Sequence, residues 1–189
     1  MKRVLSAHKD HFARDHLPPP DLMPDLQVSE AGLSYPQKFN VVTSLVDEWM
    51  TRGHGDKIAI IAPDTVWTYA QLQDKINRIA NVLSGPLGMV PGHRVLLRSG
   101  NTPMLVATYL AVIKAGGIVV ATMPMLRAKE LSYFIQKAKI NLALCDCRLL
   151  EELSHAQKTC DDLKKIVTWG DGSDTALETL MMKVSSDYD

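Results

Sequence analysis

The sequence predicts an α/β fold in which a doubly wound, mainly parallel sheet carries helices on both faces. Short apolar runs that fit strands alternate along the chain with segments whose apolar residues recur at helical spacing. This alternation favours parallel strands joined by right-handed crossovers, and continuously apolar strands indicate a sheet covered on both sides. The expected sheet strands are 95–97, 118–121, 142–145 and 166–169. Residues 58–61 and 66–68 predict a preceding hairpin, with a turn at Pro63 and Asp64.

Composition narrows the class of protein. The chain has 189 residues, 46% hydrophobic and 22% charged, which fits one globular domain or slightly more. Lys plus Arg equals Asp plus Glu at 21 each, so no overall field would recruit nucleic acid or an anionic membrane. Three cysteines, an odd number, fit reduced thiols. The amino terminus turns polar before an apolar signal core forms, so we expect a cytoplasmic protein with no nucleic-acid or membrane partner.

Three segments follow from the distribution of proline and apolar residues. Residues 1–38 form a Pro-rich N-terminal arm, because Pro18, Pro19, Pro20 and Pro24 exclude a regular helix there. Residues 39–170 form the α/β unit, and residues 171–189 are a tail with one short apolar patch. The arm packs either on its own domain or on a partner. Its candidate anchors are Leu17, Leu22, Met23, Leu26, Leu33 and Tyr35.

The helix signals are strongest at the amino-terminal ends. Asn40 can cap a first helix, and this helix would bury Val42, Leu45, Val46 and Trp49 at i, i+3, i+4 and i+7. A capping box is predicted next, because Thr68 stands three residues before Gln71, with Trp67 and Leu72 placed as a hydrophobic staple. The apolar stripe that follows comprises Leu72, Ile76, Ile79, Ala80 and Leu83.

A third helix begins near Pro103, capped by Asn101 or Thr102. It is apolar nearly all round through Ile113, so we expect it to be covered on more than one side. Two further helices are expected, one with Leu131, Phe134, Ile135 and Ala138 as its apolar stripe and one over 149–156.

No catalytic or metal-binding residue is assigned. Gly116-Gly117 is too short for a phosphate loop and reads as a helix end with a tight turn. His8, His11 and His16 match no strong zinc spacing, so they are interpreted as solvated. Cys145 is expected in the core and Cys147 at its boundary, and no His or Asp spacing marks either as a nucleophile.

Several motifs nevertheless resemble one family. Thr68-Tyr69-Ala70-Gln71-Leu72 and Lys114-Ala115-Gly116-Gly117 are similar to the first two signature regions of adenylate-forming acyl- and aryl-CoA ligases. Pro91-Gly92-His93-Arg94-Val95 resembles the family's Gly-Asp-Arg-Val strand entry, with a histidine in place of the acid. Arg127-Ala128-Lys129-Glu130-Leu131 resembles the next helix start, without the usual Ser or Thr cap. The resemblance covers about residues 40–169 and implies the N-terminal part of the acetyl-CoA-synthetase-like fold.

The narrower resemblance is to benzoate– or 2-aminobenzoate–CoA ligases, through His16-Leu17-Pro18-Pro19-Pro20 and Tyr35-Pro36-Gln37-Lys38-Phe39-Asn40. The family converts a carboxylate, Mg-ATP and coenzyme A into acyl-CoA, AMP and pyrophosphate. Its phosphate-gripping loop, ribose-binding Asp and catalytic Lys have no counterpart in residues 1–189. The resemblance therefore implies an N-terminal portion that acts as a scaffold, binds no cofactor alone, and has the remainder of its own chain as partner.

One ligand contact is carried over. In some CoA ligases, basic side chains after the strand equivalent to 142–145 approach the phosphates of coenzyme A, and Arg148 stands at about that position. Arginine gives bidentate, charge-assisted contacts to phosphate, although a solvated surface arginine is the alternative. Two alternative functions remain, a stand-alone nucleotide-binding module and a protein-interaction module that uses the arm and the apolar helix at 103–115.

Overall fold

A four-stranded parallel sheet forms the centre of the protein, in the order β4-β3-β5-β6. The computed structural model describes residues 6–25, 32, 34–36 and 38–188. The sheet strands are β3 (Arg94–Arg98), β4 (Ile118–Thr122), β5 (Leu142–Asp146) and β6 (Lys165–Trp169). The predicted hairpin is also present, as β1 (Ile58–Ala62) paired antiparallel with β2 (Thr65–Thr68) in a separate sheet.

The helices of the described residues fill the connections that the alternating pattern predicts. They are α1 (Phe12–Asp15), a π-helical segment (Thr43–Asp47) that runs into α2 (Glu48–Thr51), α3 (Tyr69–Ser84), α4 (Pro103–Lys114), α5 (Ala128–Ala138), α6 (Leu150–Gln157) and α7 (Leu177–Met181). Short 3₁₀ turns occupy Pro20–Leu22 and Cys147–Leu149.

Both faces of the sheet are covered, as predicted. Successive strand side chains point to opposite faces, so Val95 and Leu97 join one buried cluster and Leu96 joins the other. The first cluster takes its helical residues mainly from α3, α4 and α7, and the second from α5 and α6. The predicted doubly wound α/β class is therefore confirmed.

The strand order reverses at β3. From β3 the chain passes to β4 on one side and then crosses to β5 on the other side. Because helices leave the two sides of such a point in opposite directions, a crevice opens between the carboxyl ends of β3 and β5. This crevice positions the candidate site.

The predicted helix caps are present, and one is supplied from elsewhere in the chain. Thr68 and Gln71 form the reciprocal capping box of α3, and the Thr102 hydroxyl accepts from the amide of Leu105 in α4. Arg127 provides no side-chain cap for α5. Glu130 instead accepts from the Arg127 amide, and Glu152 of α6 accepts from the Ala128 amide at 2.8 Å.

Two expectations about the helices are wrong. Val42 and Val46 are buried in the first helix, but Leu45 is 53% exposed. A π-helical segment has i→i+5 hydrogen bonds and a wider turn, so a residue three positions after Val42 rotates off the buried face. In α5, Leu131 and Ile135 of the expected apolar stripe are buried, but Phe134 is exposed. The expectation for α4 is confirmed, because this helix packs on both α3 and the sheet, although Val106 and Tyr109 are exposed.

The arm packs on its own domain, through residues that the sequence analysis did not select. The amides of Lys9 and Asp10 both donate to the Pro91 carbonyl, at 2.9 and 3.0 Å. Asp10 forms an ion pair with Arg94 at 2.8 Å, and the Arg94 guanidinium lies 4.7 Å from the Phe12 ring centre. The proposed anchors Leu17, Leu22, Met23 and Tyr35 are exposed, whereas Leu26 and Leu33 lie outside the described residues.

The tail carries α7, whose Leu177 and Met181 are buried in the first cluster. Polar side chains of α3 donate hydrogen bonds to main-chain carbonyls at the end of α7 and in the residues that follow it. Asn77 donates to the Ser186 carbonyl, and Arg78 donates to those of Met181 and Val184. The tail is therefore bonded to the sheet domain at several points. Within the described ranges, no helix is long and apolar enough to cross a membrane.

Candidate functional site

A cleft of about 380 Å³ lies at the carboxyl edge of the sheet, at the point where the strand order reverses. Ligands of open α/β sheets bind in this kind of crevice. The hairpin, the α4 start and the residues after β5 and β6 all contribute to its walls. The lining residues are Thr65, Trp67, Thr102, Pro103, Met104, Asp146, Cys147, Arg148, Trp169 and Gly170.

Asp146 and Arg148 form the charged part of the cleft. Asp146 ends β5 and is buried, and its Oδ1 accepts from the Arg148 amide at 3.1 Å and from Nε at 2.9 Å. Its Oδ2 accepts from Nη2 of Arg148 at 2.6 Å. The hydrogen bond from the Arg148 side chain, opposed by burial, holds the pKa of Asp146 below its ordinary value. Asp146 is therefore ionised and orients the arginine beside it.

The arginine retains hydrogen-bonding capacity for a ligand. The Arg148 side chain is 73% exposed, and Asp146 engages its Nε and Nη2 edge. Because a guanidinium has five N–H donors, those on Nη1 are not engaged by Asp146 and are available to an anion. The contact between Arg148 and a phosphate group stays a prediction. Sequence reasoning missed Asp146, although an acid two positions before the arginine at a strand end was a visible signal.

Cys145 and Cys147 lie in the core and at its boundary, respectively, as the sequence predicts. Cys145 is buried, and burial raises the pKa of its thiol to about 12. Cys147 is half-buried in the cleft wall, and Cys160 is buried. Cys145 is therefore held as an unreactive thiol at neutral pH.

The two motif segments lie together on the first face of the sheet. Thr68 caps α3, and Lys114 ends the adjacent helix α4. Nζ of Lys114 donates to Oδ1 of Asn77, in α3, at 2.7 Å and to both carboxylate oxygens of Asp47. Lys114 therefore joins α3, α4 and the π-helical segment, and does not line the cleft.

The histidines considered as possible ligands have structural contacts or lie away from the cleft. Nδ1 of His16 lies 2.8 Å from the Phe12 carbonyl, within the arm. Nε2 of His93 lies 3.8 Å from Oδ2 of Asp10, so an acid from the arm lies beside the entry to β3. In the described part of the chain, no three His, Cys, Asp or Glu side chains converge as a metal site.

The fold and the cleft define an α/β protein with a ligand crevice at a topological switch point. The sequence profile of the family described as AMP-binding enzyme matches residues 46–187, and the chain therefore belongs to this family.

Known relatives agree with this assignment. The chain is 27% identical over 135 residues to 3-hydroxybenzoate–CoA/4-hydroxybenzoate–CoA ligase of Thauera aromatica, covering 71% of this chain and 26% of that protein. It is 23% identical over 158 residues to benzoate–CoA ligase of Thauera aromatica, covering 84% of this chain and 30% of that protein. The crystal structure of the anthranilate CoA ligase AuaEII with anthranoyl-AMP shares the fold, with a TM-score of 0.76 at 20% identity over 87% of this chain and 30% of that chain. The chain thus spans less than a third of the length of these proteins.

Proposed function

We propose that the protein containing this chain is an ATP-dependent carboxylate–CoA ligase. Its substrate would be an aryl acid such as benzoate or 2-aminobenzoate, which with ATP and coenzyme A gives the acyl-CoA, AMP and pyrophosphate. Relatives named as benzoate, hydroxybenzoate and anthranilate ligases support this choice of acid. Residues 39–170 would be the N-terminal α/β part of the enzyme, with residues 1–38 as its arm and residues 171–189 as the segment that leads to an ATP-binding loop.

The observation that carries the proposal is the joint placement of the two motifs. Their helices pack side by side on one face of a parallel sheet, and Lys114 is hydrogen-bonded to Asn77 across the helix pair. In this arrangement the Lys-Ala-Gly-Gly element serves architecture, because its lysine is occupied by Asp47 and Asn77. The chain would therefore act as a scaffold against which the ATP-gripping and catalytic parts of a longer protein pack.

Exposed apolar side chains also support a scaffold role for this chain. Val106 and Tyr109 on α4 and Ile58, Ile61 and Val66 on the hairpin are large and exposed. Large exposed apolar side chains that lie close together are common at contact surfaces. We propose that further chain of the same protein covers these residues.

Activity measurements separate the scaffold from the enzyme. Residues 1–189 alone should release neither AMP nor pyrophosphate from Mg-ATP in the presence of benzoate or 2-aminobenzoate and coenzyme A. The natural-length protein should release both, with one of the two aryl acids as the better substrate. Turnover by residues 1–189 alone would contradict the scaffold role.

The ligand contact that we propose within this chain is between Arg148 and a phosphate of coenzyme A. Its exposed side chain, its position in the turn after β5 and its orientation by Asp146 support the contact. Removing one charge-assisted contact should weaken binding of coenzyme A by about tenfold. Calorimetric titration of the natural-length protein would measure this for Arg148→Ala.

Two comparisons sharpen that titration. Arg52→Ala is the control, because Arg52 is also exposed and paired with an acid, Glu48, but lies in a different part of the fold. Dephospho-coenzyme A shows which phosphate is touched: if the 3′-phosphate is bound, Arg148→Ala has no further effect on this analogue. Equal affinities of wild type and Arg148→Ala for coenzyme A would refute the contact.

The cleft favours a second candidate, a nucleotide-binding module. It lies at the topological switch point, and Trp67 and Trp169 are in its wall. Against it, β3 is followed by Ser99-Gly100-Asn101-Thr102 and lacks a glycine fingerprint. Calorimetry of residues 1–189 with NAD, FMN and ATP discriminates the two candidates, since tight binding of any of these would favour the module.

A further inference from the structure

Arg98, the last residue of β3, is the most deeply buried cation in the described part of the chain, with 1% of its surface exposed. Its guanidinium donates only to main-chain carbonyl oxygens. Nε donates to Leu149 at 3.1 Å, Nη1 to Met123 at 3.1 Å, and Nη2 to Pro124 at 3.0 Å and Leu126 at 2.8 Å. One side chain thus bonds two loops that are far apart in the sequence.

This arginine carries its charge without an acidic partner. No carboxylate of the described residues lies within salt-bridge distance of it. Burial lowers the pKa of Arg98, but the ordinary value of an arginine is so high that the group stays protonated. The dipoles of its carbonyl acceptors therefore offset the cost of burying the charge.

The acceptors belong to the loops of the carboxyl edge. Three of them lie in the connection from β4 to α5, and the fourth is Leu149, which closes the 3₁₀ turn Cys147–Leu149. Asp146 holds the start of this turn through the Arg148 amide, and Arg98 holds its end. Arg148 stands between these two fixed points.

We propose that Arg98 is a positioning residue, which acts through the Leu149 carbonyl to hold Arg148 in the orientation that meets a phosphate of coenzyme A. This inference rests on the phosphate contact proposed above. It assigns a role to a side chain that does not line the cleft itself. The fork geometry of arginine is essential to the role, because a lysine ammonium keeps the charge but does not span acceptors in two loops.

The same strand provides a matched control in Arg94, at its opposite end. Arg94 is 7% exposed and donates to the carbonyls of Gly92, Ala138 and Lys139 at 2.9, 2.8 and 3.0 Å. These acceptors lie at the amino edge of the sheet, away from Arg148. Arg94→Lys and Arg98→Lys therefore make the same chemical change in similar burial at the two ends of β3.

Alkylation of Cys147 tests the positioning without reference to a ligand. Cys147 lies in the turn that Arg98 holds, and the other two cysteines are buried. We expect Arg98→Lys to raise the alkylation rate of Cys147 by about tenfold, because the turn opens more often, and Arg94→Lys to leave it within about twofold. Peptide mass spectrometry measures the rate at this residue. An unchanged rate in Arg98→Lys, or an equal rise in both variants, would overturn the proposal.

Titration of coenzyme A into the natural-length protein tests the link to binding. Arg98→Lys should weaken binding by about three- to tenfold and Arg94→Lys by less than about twofold. Full affinity in Arg98→Lys contradicts positioning. A loss in Arg98→Lys that persists in the Arg148→Ala background also contradicts it, since the effect must pass through Arg148. Absence of any effect of Arg148→Ala alone would instead refute the phosphate contact.

Hydrogen exchange of the wild-type protein tests the proposal even if a variant does not fold. The Leu150 amide donates to the Cys147 carbonyl, in the turn whose Leu149 carbonyl Arg98 bonds. If the guanidinium holds this turn, the Leu150 amide hydrogen should exchange on the timescale of the buried strand β3. Exchange at the rate of an open loop would overturn the proposed role.

Discussion

Lys114 and Asp47 form an ion pair that joins the end of α4 to the π-helical segment. Nζ of Lys114 lies 2.8 and 2.9 Å from the two carboxylate oxygens of Asp47. The side chains are 9% and 22% exposed, respectively. The pair stands beside Asn77 of α3, so three elements of the first face meet at one lysine.

Removal of this lysine should destabilise the fold. Lys114→Ala leaves Asp47 and Asn77 without their shared donor, and we expect a loss of about 2–3 kcal/mol in the free energy of unfolding. Urea unfolding followed by circular dichroism measures the loss. Arg52→Ala is the control, because it removes an exposed i,i+4 pair with Glu48 that should contribute only about 0.3–0.5 kcal/mol. Equal losses in the two variants would contradict a structural role specific to Lys114.

Gly92 should be required for docking of the arm. Its φ of +95° is unfavourable for other residues, and a β-carbon there would overlap the carbonyl oxygen of Asp10. Gly92→Ala should therefore cost about 2–3 kcal/mol and release the arm to trypsin at Arg14. Gly88→Ala is the matched control, because Gly88 has a φ of +68° but open space around the added carbon. It should lower the free energy of unfolding by about 1 kcal/mol without releasing the arm. Protection of Arg14 in Gly92→Ala would contradict the docked position.

Asp10 should make the stability of the protein depend on pH in the acid range. Burial alone would raise the pKa of this carboxyl, but hydrogen bonds from Arg94 and the Phe12 amide lower it below its ordinary value. The unfolded chain then binds more protons than the folded one between the two pKa values. The contribution is complete above an ordinary aspartate pKa of about 3.9 and is lost as the pH falls through the lower, folded value.

Urea unfolding at neutral pH and at successive acid values measures this dependence. Asp10→Asn should be less stable than wild type at neutral pH and should lose less stability on acidification. Part of the slope should remain, because the pKa of Asp146 is also lowered, chiefly by its hydrogen bond with Arg148. Asp15→Asn, at an exposed position of the same arm, should follow the wild-type curve. Parallel curves for wild type and Asp10→Asn would contradict the prediction.

Thiol chemistry should distinguish the three cysteines. Cys145 is buried, with a pKa raised to about 12, and Cys160 is buried, whereas Cys147 is accessible from the cleft. A disulfide reagent at about pH 8 should therefore react with Cys147 alone in the folded protein and with all of the thiols in urea. In Cys147→Ser, the folded protein should no longer react with the reagent. After unfolding in urea, Cys145 and Cys160 should still react.

Local sequence determined the elements whose signals are short in range. The capping box at Thr68 and Gln71 and the cap at Thr102 follow from residues three positions apart, so no tertiary information was needed to place them. The strands were predicted to within one or two residues of their observed ends because they are continuously apolar. The predicted burial of Leu45 was wrong because a π-helical turn changes the residue spacing on which the helical pattern relies.

Description of the candidate site required both the sequence and the tertiary structure. Arg148 was proposed as a ligand contact from its position after a predicted strand. Its orientation by Asp146 and the bonding of its turn to Arg98 are visible only in the structure. Arg98 ends an apolar strand and carries no local signal of burial, because its acceptors are carbonyls 25 to 51 residues away. Side-chain type alone does not reveal which distant carbonyls a charged group will meet.

The α/β class, the order of the elements and the family motifs follow from the amino-acid sequence. Docking of the arm through Asp10 and Phe12 on Arg94, and the bonding of Lys114 and Arg98 inside the fold, depend on three-dimensional packing. Helix caps and periodicity can be predicted because they are set by neighbours along the chain. The burial of a charge, in contrast, is stable only where packing brings remote acceptors around it.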